Sequence, residues 1–414
     1  LEKRGPDASN FTSQNHVFLG HTRLSIIDTR SIANQPFSNV QGRYTILFNG
    51  EIYNYKNLKE KLILKGHVFK TNSDTEVILN LFIEYGVKSF GFLRGMFAIL
   101  IYDKINEEII LARDSVGIKP LYYYSDTNKL IISSQVKTIT HSSINKEIDF
   151  ESKIDFYLMG FVIEPKTIFK NIKSVKSGHY IKFKLDKNKS ISLIEANKYK
   201  IIFSKRDKDL SFFFKDTIKS HLVADVDIGL FLSSGIDSST IASELLKYKK
   251  NFLALNLAFK EYHGKNEDES ILAKKISTKT NINYKQLNSN EAELLKLENN
   301  FFEDMDQPTI DGLNTWILSN HAKKTKIKVF LSGLGLDELL FGYKTREYIK
   351  IFYILKFFKK IIKIISNFLN LSFLKLPIKI KYFHKYLDSF ADLYVLKRSN
   401  LLFEEIKFLS KEEI

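Results

Sequence analysis

Two rhythms of apolar and polar positions divide the chain. In the first third, short apolar or alternating runs recur at 16–27, 44–48, 97–102, 109–112, 121–124 and 130–133, the spacing of strands. Only two stretches there, 54–64 and 74–85, carry apolar residues at helical spacing. Strands grouped with few helices predict sheet-on-sheet layers covered by helices. From Asp225 onward the pattern changes. Apolar runs at 228–232, 252–259 and 328–331 alternate with helical patterns at 240–246, 269–276, 291–301 and 314–324. That βαβ alternation predicts a parallel sheet with ligands at the carboxyl ends of its strands. The resulting division is a first domain over 1–145, a Lys-rich connector over 146–209, and a second domain over 210–414 on which the connector packs.

Composition adds bounds more than detail. A length of 414 residues with 44% hydrophobic and 27% charged positions leaves room for two or three ordinary domains, each with a core. The net charge of +16 favours polyanionic ligands. The lysines behind it are scattered among Ile, Asn and Phe without an Arg-rich arm or a nucleic-acid motif, so phosphate and nucleotide ligands explain the charge as well as nucleic acid would, and no nucleic-acid partner is expected. No apolar run nears the roughly 20 residues of a membrane span, and no leader is evident. The absence of cysteine excludes disulfides, thiolate metal sites and a cysteine nucleophile within the chain. A cytoplasmic location is expected. The basic stretch KFFKKIIK at 356–363 fits either an anionic membrane surface or packing of its apolar side on its own domain. Packing is the expectation, with a helix break at 370–377.

The chemistry concentrates at the ends of runs. ADVDIGLFLSSGIDSST, 224–240, is a strand running through a Ser/Gly turn into a helix. Free N–H groups and the positive end of the helix dipole make such a turn an anion site. Gly235 lets backbone approach a phosphate, Ser233, Ser234, Ser238 and Ser239 add hydroxyls, and Asp237 could supply an oxygen ligand to a phosphate-bound Mg2+. No Lys follows in the Walker sense. LSGLGLDE, 331–338, ends another strand with Ser332, Gly333 and an acidic pair, Asp337 and Glu338, that could share the same Mg2+. Taken singly, a Ser/Gly turn is a helix cap, Asn-Gly a hairpin turn, Ser-Asp a cap and Arg113-Asp114 a local ion pair.

Their order carries more than any one of them. RGPD, GHTRLSIID, FNGEIYNY, SDTEVIL, LRGMFAILIYD and ARDSVGIKPLYY closely resemble the glutaminase domain of class B, glutamine-hydrolysing asparagine synthetases. The later loops resemble the same family's synthetase domain. The resemblance implies an α/β multidomain protein: an αββα N-terminal-nucleophile hydrolase sandwich followed by a parallel-sheet ATP-pyrophosphatase domain. It implies an oxyanion hole at Asn49 and Gly50, a glutamine α-carboxylate bound by Arg23, and an α-ammonium held by Glu51 and Asp74. In the second domain it implies pyrophosphate binding by Ser233, Ser234, Gly235, Asp237, Ser238, Ser239, Ser332 and Gly333. Asp237 and Asp337 are then the Mg2+ ligands, and Asp306 and Asp311 lie near the acceptor. The implied substrates are glutamine, aspartate and ATP, joined through a β-aspartyl adenylate with release of AMP and pyrophosphate. Ammonia passes between the domains, and a homodimer is compatible with the family.

The sequence also departs from that pattern. The family's nucleophile is a cysteine some tens of residues before RGPD, and the chain starts at Leu1, so loss of the N-terminus is one expectation and use of free ammonia the other. The family's pyrophosphate-binding Lys and its Arg-x-Pro-Phe-Leu-Asp signature have no counterpart before Ile414, and a missing C-terminus is expected too. Ser234 replaces a commoner Gly. Leu334 stands where well-studied members carry Glu, although many bacterial relatives have Leu. Two alternatives therefore stand beside aspartate amidation. One is amidation of another carboxylate, such as a uronic acid of surface polysaccharide, or β-lactam ring closure. The other is a catalytically inactive paralogue.

Overall fold

The computed structural model describes residues 1–414 apart from 15, 187–189, 203–207, 266–267, 341, 344, 369–376 and 407–414. Strands β1 (Ala8–Gln14) and β2 (Val17–Arg23) form a hairpin. Next come β3 (Phe37–Ser38), β4 (Tyr44–Ile52), β5 (Gly95–Asp103) and β6 (Glu108–Arg113), each antiparallel to the one before. A second hairpin, β7 (Tyr122–Ser125) and β8 (Leu130–Ser133), pairs with β9 (Ile172–Ser174). The chain then returns through β10 (His179–Leu185) to the free side of β6, and β11 (Ile191–Lys198) closes a six-stranded sheet ordered β11-β10-β6-β5-β4-β3.

Alternation along β5 shows how the layers stack. Phe97, Ile99 and Ile101 share one core with the helices Tyr55–Ile63 and Asp74–Tyr85, while Ala98, Leu100 and Tyr102 share another with Val17 and Leu19 of β2 and with Leu121 just before β7. A strand buried on both faces reads as a continuous apolar run, and each such Ile or Phe contributes about 1.5–3 kcal/mol on burial. Val136 and Ile139 of the Val136–Thr140 helix cover the outer face of the three-stranded sheet. The order of layers is helix, sheet, sheet, helix: the αββα sandwich.

The stretch expected to be a connector differs from that reading. Residues 172–198 supply β9, β10 and β11 to the first unit. In β10, Ile181, Phe183 and Leu185 face the core and Lys182 and Lys184 alternate with them on the other face, the period-two pattern of a half-buried strand. The cation Arg113, expected to pair with Asp114, instead forks onto Glu164 at 2.8 and 2.9 Å and pins this stretch to β6. Asp114 accepts from the backbone N–H groups of Val116, Gly117, Ile118 and Lys119, so it shapes the turn rather than neutralising its neighbour.

The second unit is a parallel sheet ordered β14-β13-β12-β15, made of β12 (Ile228–Phe231), β13 (Leu253–Phe259), β14 (Asn283–Ser289) and β15 (Val329–Leu331). The chain steps outward from β12 to β14, then returns to lay β15 on the other side of β12. Strand order therefore reverses between β12 and β15, the switch point at which open α/β sheets bind ligands. Helices Ile236–Leu245 and Ser270–Thr280 cover one face, and Leu313–Ala322 covers the other. The edge strand β14, sequence NYKQLNS, has no apolar alternation and was not foreseen.

The basic stretch forms helices Thr345–Phe357 and Lys359–Phe368. Phe352 is buried with Tyr386, Leu393 and Leu396, as packing requires, yet Tyr353, Ile354, Phe357, Ile361 and Ile364 are exposed. Packing thus accounts for one side of the pair only. The helix break expected at 370–377 falls outside the described residues except for Pro377. Among the described residues no helix is long and apolar enough to cross a membrane.

Candidate active sites

The first unit holds a cleft of about 580 Å³ between β2, β4 and the start of the Asp74–Tyr85 helix. Asn49, Gly50, Glu51, Arg23 and Asp74 all line it, so the residues expected to handle glutamine are brought together. β4 carries Asn49, Gly50 and Glu51 in sequence. Gly50 lies so close to β5 that a Cβ there would stand 2.0 Å from the Met96 carbonyl oxygen. Only glycine lets this backbone approach the neighbouring strand.

Asp74 opens its helix behind the cap of Ser73, whose Oγ accepts from Thr75 N at 3.0 Å. Its Oδ2 accepts from Ile52 N at 3.1 Å, fixing the carboxylate beside β4. Burial raises its pKa to about 6. Burial likewise raises Glu51 to about 7, with the Lys119 ammonium opposing the rise and Asp74 adding to it. Two buried carboxyls this close favour a cation between them, since an ammonium offsets both desolvation and mutual repulsion.

Arg23 is placed differently from the expected carboxylate fork. Its Nη1 donates to Arg30 O (3.1 Å) and Asn34 Oδ1 (2.9 Å), and its Nη2 to Ile27 O (3.0 Å) and Asp28 O (2.7 Å). All four terminal N–H groups are thereby spent on the 27–34 loop, which leaves Nε as the remaining donor. The guanidinium clasps the loop that walls the cleft. The sequence shows the cation but not the loop carbonyls, because backbone acceptors leave no residue signature.

Three more lining residues were not foreseen. Gln35 brackets Phe48, accepting from its N at 2.6 Å and donating to its O at 3.1 Å, which sets the strand just before Asn49. Burial lowers the His21 imidazole to about 4, so it is neutral, and its Nδ1 has no partner among the described residues. Lys119, within the quoted motif, is held below the usual lysine range by burial while Glu51 opposes that shift.

In the second unit both loops at the switch point meet. Ser233 and Ser238 hydroxyls lie 2.9 Å apart, Ser233 N donates to Ser238 Oγ and Gly235 N to Ser233 Oγ, so the turn is tied before the Ile236–Leu245 helix begins. Ser239 Oγ donates to Gly235 O at 2.7 Å. Ser234 and Gly235 form the tip of the turn. The β15 loop packs directly on it: a Cβ on Gly333 would stand 3.0 Å from Asp237 Cβ. Ser332 Oγ accepts from Leu334 N, and Leu334 itself is 78% exposed.

The Asp237 carboxyl is held above its ordinary value by burial and by the charges of Asp337 and Glu338. Among the described residues neither Asp237 nor Asp337 forms a salt bridge, and no cluster of three metal-ligating side chains occurs. Two unpaired carboxylates beside free helix N–H groups offer oxygen ligands to a hard cation that also takes phosphate oxygens, the way Mg2+ is held with nucleotides.

Asp306 is a correction. Its two oxygens accept from Val136 N (2.9 Å) and Lys137 N (3.0 Å), capping a helix of the first unit. The carboxylate is spent on holding the two units together, so its expected place at the acceptor is not supported. Asp311 is exposed, with its backbone N donating to Thr309 Oγ1.

A family model described as a glutamine amidotransferase domain matches residues 1–198, and one described as asparagine synthase matches 210–409. The chain is 35% identical over 347 residues to glutamine-hydrolysing asparagine synthetase 1 of Bacillus subtilis, covering 82% of this chain and 54% of that protein. It is 29% identical over 368 residues to amidase chry2 of Gibberella zeae, covering 83% and 54%. A putative glutamine-hydrolysing asparagine synthetase 2 of Methanocaldococcus jannaschii is 32% identical over 426 residues, covering 96% of this chain and 79% of that protein. The chain spans about half the length of the Bacillus and Gibberella relatives.

Proposed function

The chain belongs to the family of glutamine-hydrolysing asparagine synthetases, and on that footing we propose that it serves the ATP-dependent amidation of a carboxylate, aspartate first, with nitrogen drawn from glutamine. The observation that carries this reading is the meeting of the Ser233–Ser239 turn with the Asp337 loop at the switch point.

In the first unit, glutamine lies with its ammonium between Glu51 and Asp74. Asn49 Nδ2 and Gly50 N–H donate to the oxyanion that forms as the side-chain amide is attacked. Arg23 keeps the loop in place and adds its charge. The attack itself needs the family's N-terminal cysteine, and these 414 residues contain none. In the second unit, Ser233, Ser234, Gly235, Ser238 and Ser239 cradle the β- and γ-phosphates, with Ser332 and Gly333 on the far side. Asp237 and Asp337 would hold Mg2+, whose role when bound is to neutralise charge on the departing pyrophosphate. The acceptor carboxylate attacks the α-phosphorus of ATP and expels pyrophosphate; ammonia then attacks the acyl carbon of the adenylate, loses a proton and expels AMP, leaving the amide.

A second acceptor is favoured by two observations. Asp306 is committed to a cap, and Leu334 presents an apolar side chain beside the phosphate turn. A sugar acid is the chemical class that this reading names.

The test is release of AMP and pyrophosphate with Mg-ATP and ammonium, with and without aspartate. Aspartate dependence, abolished by Asp237→Asn and by Asp337→Asn, supports the first reading. Release that survives both substitutions removes the metal assignment, and indifference to aspartate moves the acceptor to sugar acids.

A further inference from the structure

The residues that lead into the two strands carrying the phosphate loops contact the wall of the glutamine cleft. Asp225 stands three residues before β12, in the bend that leads into it: its N donates to Ile26 O at 2.9 Å and its Oδ2 accepts from Asp28 N at 2.8 Å. Lys328 immediately precedes β15, and its Nζ meets Asp7 Oδ2 at 2.7 Å. The same Asp7 oxygen accepts from Ser25 N at 2.7 Å. Ser25 and Ile26 lead into the 27–34 loop that Arg23 clasps, and Asp28 lies within it. Asp28 extends the chain of contacts, since its Oδ2 accepts from Asn72 N at 2.7 Å, beside the Ser73 cap that sets Asp74.

Beyond these feet the strands are short and stiff. β12 is 4 residues long, pairs with β13 and β15, and buries Leu230 completely; β15 is 3 residues long. From Asp225 to Ser233 the chain spans at most roughly 26 Å at strand rise. The packed strands β12 and β15 carry a shift at one end through to the other, and the short 225–227 bend joins β12 to its foot. The Lys328–Asp7 pair is about one-third exposed at Lys328 and one-quarter at Asp7, which makes it a weak contributor to stability. Its worth lies in where it holds Ser25.

We propose that Asp225 and Lys328 are positioning residues for the glutamine cleft, and that through β12 and β15 they couple its affinity for glutamine to occupancy of the phosphate turn. The inference rests on the two-site reading above. ATP seated on the Ser233–Ser239 turn shifts the β12 and β15 ends, and their feet carry that shift to Ser25, Ile26 and Asp28.

Because the chain has no cysteine, glutamine binding can be followed by calorimetry without turnover through a thiol. Saturating Mg-ATP is expected to change the glutamine Kd about 5-fold or more, and glutamine to change the ATP Kd by the same factor. In Asp225→Ala/Lys328→Met that factor falls to about one and glutamine alone binds several-fold more weakly, while ATP alone binds as before. Asp225→Asn, which keeps an acceptor for Asp28 N, retains the coupling. If the double variant also loses ATP binding, Lys328→Met alone carries the test with the same expected direction. Glutamine binding that ignores ATP in the wild-type chain, or coupling that persists in the variants, overturns the inference alone. A wild-type chain that binds no glutamine overturns the cleft assignment and this inference together.

Discussion

Asp74 and Glu51 are carboxyls held partly neutral by burial, and their charge decides how the cleft meets an ammonium. Asp74 moves from 3.8 to about 6, so between those values the folded chain binds more protons than the unfolded chain. Stability therefore falls as pH rises from about 4 to about 7, by about 3 kcal/mol for a shift of this size. Asp28 runs the other way. The side-chain hydrogen bond from Arg30 leads the lowering of its pKa to about 2, and its contribution, present above about 4, is lost as pH falls through 2. Asp74→Asn keeps an acceptor for Ile52 N and removes the buried charge. We expect it to raise the urea midpoint at pH 8 and leave it unchanged near pH 4, while abolishing glutamine binding. In the wild-type chain glutamine should bind more tightly at pH 8 than at pH 5.5, as both carboxyls ionise. Calorimetry across that range checks the direction, and a flat profile would remove these two groups from the site.

Elements, more than single residues, tie the two units together. Asp306 caps the Val136–Thr140 helix, Gln307 Oε1 accepts from Ile168 N, and Arg94 pairs with Asp216 at 2.5 Å. Loss of a capping carboxylate costs about 1 kcal/mol, so Asp306→Ala should lower the thermal midpoint by a few degrees and leave the acceptor KM unchanged. A raised acceptor KM with unchanged stability would restore Asp306 to the acceptor site. The sequence showed Asp306 only as a carboxylate near a helix start; its partner lies about 170 residues away. The same limit governs the strands. β4, β5, β6 and β12 were legible because both faces are buried, whereas β1, β11 and β14 are polar edges whose pairing depends on neighbours remote in sequence. The phosphate turn was legible for the opposite reason: Ser233 through Ser239 complete their contacts locally.

At the scale of the whole molecule, the cleft and the phosphate turn draw on different sheets, joined at the feet of β12 and β15 and through the contacts of Asp306, Gln307 and Arg94. Their chemistry should accordingly fail separately. Asn49 sits on β4, opposite Ala98 of β5, and no contact joins it to the Ser233 turn among the described residues. In a form of the protein that carries the nucleophilic cysteine, Asn49→Ala should slow glutamine-driven amidation about 100-fold, as loss of an oxyanion donor does. With ammonium as nitrogen source the same variant should release AMP at the wild-type rate, because the adenylyl chemistry uses only residues of the second unit. Measuring both rates on one preparation separates the cases: a comparable loss with ammonium would mean that the oxyanion donors also serve the second site, and the division of labour between the two sheets would have to be abandoned.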